Sequence, residues 1–285
     1  MKELKFNLKY LLNRKELYLA FIIVMWIHLV YLFTQFQPGL NGMLYPSLEE
    51  RAILHTIFMN NGSLMYILFY LIIPLACNMI FADTSWKDLY ENTGNTLYPR
   101  IDMKRSIKIR WMLSLVVTFI IVFLGFMLSY MVLISVFKDG YVAIGHGSPA
   151  FNIDIYPALL KELMIENPFL YTTLEYARIS LIISFLSGFG YSISFFIKNK
   201  IFVYFSVLAL QIGHDVILLG AYNIYMSILH SGTQIPEHII RFGEGAYAMQ
   251  FNTLYYLMPA IYCLIFTFLL ALVPLLLALR KKDYI

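Results

Sequence analysis

Apolar residues run in six blocks along the chain, at 17–36, 62–82, 111–137, 179–197, 201–222 and 254–279, and polar residues gather between them. Each block approaches or exceeds the ~20 residues an α-helix needs to cross ~30 Å of hydrocarbon. The pattern predicts an all-α, polytopic membrane protein: one transmembrane domain over 1–285 with six transmembrane helices. The first block is too long for the core of a cleavable signal and has no small-residue cleavage site, so it reads as a retained span.

Ahead of that block, Leu4, Leu8, Leu11 and Leu12 fall on one helical face, while Lys2, Lys5 and Lys9 fall on another. This predicts a short helix within 1–16 that lies in the membrane interface. A frayed basic tail is the alternative. Three connecting segments fall on one side of the bilayer, 37–61, 138–178 and 223–253. The first holds a capping box, Ser47 with Glu50. The second offers an amphipathic helix over 157–167, stopped by Pro168. The third is punctuated by glycine and suits a re-entrant piece. The segment 83–110 falls on the other side and is the densest in charge. Within it, Asp83 to Glu91 reads as a short helix carrying Trp86, Leu89 and Tyr90.

Charge orients this plan. Sixteen of the 21 Lys and Arg residues fall before the first block, in 83–110, between the fourth and fifth blocks, or after the sixth. The other five are Arg51, Lys138, Lys161, Arg178 and Arg241. The positive-inside bias therefore predicts a multi-pass protein of the plasma membrane with both termini cytoplasmic. The net charge of +4 is accounted for by topology and gives no reason to expect nucleic acid. Only 13% of residues are charged against 60% hydrophobic, which excludes an ordinary soluble domain.

Cys77 and Cys263 sit at different predicted depths, so a disulfide is not expected. The six histidines lack metal-ligand spacing, and no metal or cofactor is expected on this chain. A nucleotide-binding loop, Gly-x-Ser-x-Gly and His-Glu-x-x-His are all missing. The chain is therefore not expected to be an enzyme. Asp215 is the one charge inside a predicted span, beside His214 and one turn beyond Gln211. An aspartate at that depth is a functional candidate by default. The structural alternative pairs it with Arg178 or with His28 on the first span. Ser180, Ser184, Gly188 and Ser192 recur every four residues, a spacing that lets helices approach closely.

Six spans, an interfacial first helix and a charged segment between the second and third spans resemble the permease subunit of ABC transporters of the ABC-2 type. The run Tyr90-Glu91-Asn92-Thr93-Gly94-Asn95-Thr96-Leu97 is followed by Pro99-Arg100 and Lys104-Arg105, similar to that family's coupling region. Asn167-Pro168-Phe169-Leu170-Tyr171, ahead of a fourth span ending in Lys198-Asn199-Lys200, resembles several small bacterial members. The family's usual Gly-Thr pair is split here by Asn95. The resemblance implies an "elbow" helix over 1–16 and a coupling helix formed by Trp86, Lys87, Asp88, Leu89, Tyr90 and Glu91 that contacts a separate ATPase. It also implies two ATPase copies holding ATP and magnesium, a second permease chain, identical or related, and export of a hydrophobic or amphipathic substrate such as a peptide, lipid or drug. Two other readings stand beside it: an ATP-independent membrane enzyme or secondary transporter, and a non-transporting sensor or immunity subunit.

Overall fold

The computed structural model describes residues 2–36, 71–82, 86, 103–136, 167–230 and 257–280. Among the described residues there are seven helices and no strand. They are α1 (Lys2–Leu12), α2 (Lys15–Phe36), α3 (Leu71–Ala82), α4 (Met103–Val136), α5 (Pro168–Ile193), α6 (Lys200–His230) and α7 (Leu257–Arg280). Three contain stretches long and apolar enough to cross a membrane: Lys104–Val132 in α4, Thr172–Ile193 in α5 and Lys200–Ile217 in α6.

Paired contacts give the helix directions. The Tyr191 hydroxyl donates to the Ile107 carbonyl at 3.4 Å, Thr118 donates to Ser187 at 3.2 Å, and the Phe126 ring lies 5.3 Å from Tyr176. As α4 ascends its partners on α5 descend, so the two are antiparallel. Ser129 reaches the Met25 carbonyl and a Cβ on Gly125 would press on Val24, which sets α2 parallel to α4. Ser187 donates to the Cys77 carbonyl and Gly190 abuts Asn78, so α3 runs with α5. Phe268 of α7 meets Phe185, and Ala271 accepts from Ser192, so α7 does too.

One end of the bundle therefore collects the start of α2, the end of α3, the start of α4 and the α5–α6 turn. Exposed at that end are Lys5, Lys9, Lys15, Lys104, Arg105, Lys108 and Lys198. The flanks between the ends are apolar and exposed. Met112, Val116, Ile120, Leu124 and Leu128 line α4; Ile201, Phe205, Ile212 and Val216 line α6. In water such walls would be an extreme apolar patch. Against hydrocarbon they incur no desolvation cost, which makes this a membrane protein.

α5 is the most buried of the three long helices. Small side chains make that possible. Ser180, Ser184, Gly188 and Ser192 are all buried. A Cβ on Gly188 would lie 2.6 Å from a Leu115 methyl, with the Trp111 indole nitrogen and Ala271 close behind. Ser192 reaches both the Gly188 carbonyl (2.8 Å) and the Ala271 carbonyl (2.9 Å). The spacing thus seats α5 between α4 and α7. Cys77 is fully buried under the same helix.

Several boundaries differ from those the hydropathy pattern predicts. Pro168 starts a helix: Asn167 caps α5 by accepting from the Leu170 amide at 3.0 Å, and Pro at the first helical position forfeits no hydrogen bond. Residues 168–178 are therefore helical rather than part of a connecting loop. α6 continues through 223–230, and α4 begins at Met103, inside the expected 83–110 segment. In α1 the buried face is Asn7 and Leu11, while Leu8 and Leu12 are exposed. A polar contact explains that rotation: the Arg110 guanidinium donates from Nε to Asn7 Oδ1 at 2.8 Å, turning Asn7 toward α4. The predicted features at 37–61, 87–91, 157–166 and 231–253 lie outside the described residues.

Candidate functional site

Three ionisable groups, His28 and Glu175, which are buried, and Asp215, which is half-buried, lie in the half of the bundle away from the basic end. His28 lies 13 residues beyond Lys15, roughly 20 Å along α2. Glu175 lies 18 residues before Ile193, roughly 27 Å along α5. Asp215 lies 15 residues beyond Lys200, roughly 22 Å along α6. All three are thus far from the basic end along their own helices.

The first group sits between α2, α4 and α5. Glu175 and Arg178 are one turn apart on α5 and pair at 2.9 Å, with side chains 8% and 11% exposed. Starting α5 at Pro168 draws this pair into the helix. A boundary placed at Ile179 hides it, yet the Glu-x-x-Arg spacing after an Asn-Pro cap was the available signal. Tyr176, next to Glu175, faces inward. His28 stands 5.0 Å from the Tyr176 ring and 4.5 Å from Phe126, and Tyr130 stands 5.8 Å from Tyr176. Thr172 is also fully buried. Together they make a buried aromatic layer beside one ion pair.

The second group is on α6. Gln211, His214 and Asp215 share a face through i, i+3 and i+4 spacing. Gln211 and His214 are buried. The His214 ring packs on Phe266 of α7 at 4.9 Å, and its Nδ1 lies 3.1 Å from Asp215 Oδ1. The ion pair of Arg178 is with Glu175, and the ring neighbours of His28 are Phe126 and Tyr176. Asp215 thus lies against His214, its neighbour in the chain. Both carboxylates thus have a basic side chain within hydrogen-bond distance. Among the described residues, no three His, Cys, Asp or Glu side chains converge on a point.

A third constellation lies at the basic end. The Trp86 indole donates to the Lys198 carbonyl at 2.7 Å, and Lys200 Nζ lies 5.7 Å from the Trp86 ring. Trp86 is the one described residue of the expected coupling helix. It is half-buried on the α5–α6 turn. Below it, Asn78 Nδ2 donates to the carbonyls of Val203 (3.1 Å) and Tyr204 (2.9 Å) in the first turn of α6. Asn78 of α3 therefore holds the first turn of α6, and Trp86 beyond α3 holds the α5–α6 connection.

No family model matches this chain, and neither a curated protein nor a solved structure does.

Proposed function

We propose that the chain is the membrane subunit of a transporter driven by a separate ATPase, of the kind its sequence resembles. Helices α2 to α7 would each cross the bilayer, with the basic end and both termini in the cytoplasm. α1, turned off from α2 at Asn13 and Arg14 and tied to α4 through Asn7, suits the elbow position. The observation that carries the reading is Trp86 seated on the α5–α6 turn. Two connections separated by more than a hundred residues meet there, at the end where the cations gather. A partner pressing on one would move both. Asn78 would pass that displacement from α3 to α6, and a rigid-body switch of the helices would follow. The exposed and aromatic-rich helix surfaces favour a hydrophobic or amphipathic substrate, and export is the proposed direction.

The test is co-purification from the native membrane. The wild-type chain should carry an ATPase whose activity a non-hydrolysable ATP analogue blocks. Trp86→Ala should carry less of it at equal expression, and the purified chain alone should hydrolyse no ATP. Co-purification unchanged by Trp86→Ala would move the contact elsewhere.

A second reading is favoured by one observation, the Glu175–Arg178 pair inside α5. An ATP-independent, ion-coupled transporter needs charge buried within the helix bundle, and Glu175 with Arg178 supplies one such pair. That reading expects transport to follow an ion gradient in vesicles without ATP.

A further inference from the structure

The start of α4 has a composition that neither transport reading uses. Lys104 and Lys108 are exposed and one turn apart, with exposed Arg105 beside them. The same four-residue step continues as Met112, Val116, Ile120, Leu124 and Leu128, each exposed. From Met103 to Val136 the helix contains no Asp or Glu. A cationic head thus leads directly into an apolar track. Ile120 lies about 18 Å beyond Lys108 at 1.5 Å per residue, close to the ~15 Å depth of one leaflet. The head is fixed in place, because Arg110 is buried and held by Asn7 of α1.

We infer that this exposed strip of α4, which winds about 40° around the helix at each four-residue step, is a binding site for an anionic phospholipid, its headgroup on Lys104 and Lys108 and its acyl chains along Met112, Val116 and Ile120. Charge selects the occupant. A zwitterionic lipid fits the apolar track equally well but gains nothing net from two adjacent ammonium groups. An anionic headgroup gains on the order of fivefold in binding for each lysine at the leaflet surface. A free phosphate would meet the lysines and leave the track uncovered. A second copy of this chain would bring its own lysines against these.

The experiment uses the full-length protein in a neutral detergent, titrated with short-chain phosphatidylglycerol or phosphatidylcholine and read by native mass spectrometry. Phosphatidylglycerol should bind and survive a challenge with inorganic phosphate. Lys104→Gln with Lys108→Gln should weaken it about 25-fold, and Lys104→Arg with Lys108→Arg should restore it. Lys5→Gln with Lys9→Gln removes the same charge from α1 and should change binding less than twofold on the same scale. The site is overturned if both glutamine pairs weaken binding equally, which is a diffuse basic rim. It is equally overturned if phosphatidylcholine binds as well, or if inorganic phosphate displaces the lipid. Copy-to-copy crosslinking through Leu124→Cys in native membranes would also overturn it, since protein would then cover the track. Unfolding temperature in phosphatidylcholine nanodiscs, expected to match wild type, checks each variant's fold.

Discussion

Asn78 and Gly190 fit together as a key fits a slot: the Asn78 side-chain oxygen occupies the space where any other residue at 190 would carry its Cβ. Its amide nitrogen meanwhile bonds the first turn of α6 through Val203 and Tyr204. One side chain therefore sets the mutual positions of α3, α5 and α6.

Gly190→Ala should destabilise the bundle by about 1–3 kcal/mol, the usual cost of overpacking. Asn78→Ala should cost about 0.6–2 kcal/mol through lost interhelical hydrogen bonds. The double variant should cost clearly less than the sum, since removing Asn78 vacates the space the new methyl needs. Denaturant titration of the three variants checks this, and strict additivity would show that the contact is not shared.

The Glu175–Arg178 pair should behave as a unit. Glu175→Gln or Arg178→Gln alone leaves one buried charge without its partner and should cost about 3 kcal/mol. Replacing both with leucine and methionine should recover most of that loss. Unfolding in mixed detergent measures it. Single variants as stable as wild type would place the pair in contact with water.

Asp215→Asn should keep most of the contact with His214, since an amide oxygen still accepts a hydrogen bond. Asp215→Leu should lower stability by on the order of 1 kcal/mol. Thermal unfolding separates them. If the asparagine variant falls as far as the leucine one, the charge itself is needed.

Orientation has its own check. In a chain lacking Cys77 and Cys263, Lys200→Cys should react with a membrane-impermeant maleimide only after the cells are opened. Reaction in intact cells would invert the topology.

The long apolar helices were legible because runs of ~20 apolar residues are written in composition. α2, α6 and α7 begin within three residues of the predicted blocks. Helix ends were less legible where polar residues remain helical. Met103 to Arg110 carries four cations and still continues α4, because Arg110 and Ser106 are buried against other elements. Residues 168–178 hold Thr172, Glu175 and Arg178, which lower hydropathy enough to hide the first turns of α5. The same shift concealed the buried ion pair, so hydropathy left Asp215 as the sole charge inside a predicted span. The serine and glycine spacing on α5 could be read directly, because close helix packing needs small side chains whatever the neighbour. Which partner each face meets could not be read, since that depends on contacts between residues far apart in sequence, such as Asn78 with Tyr204.

The most direct test of the proposed function is crosslinking from Trp86. In a chain whose only cysteine replaces this residue, Trp86→Cys should form an adduct, in native membranes, with a subunit that also photolabels with an azido-ATP analogue. The yield should change when ATP is added, as a coupling contact that moves requires. An adduct confined to the chain's own α5–α6 turn, with no ATP-binding subunit captured, would contradict the proposal.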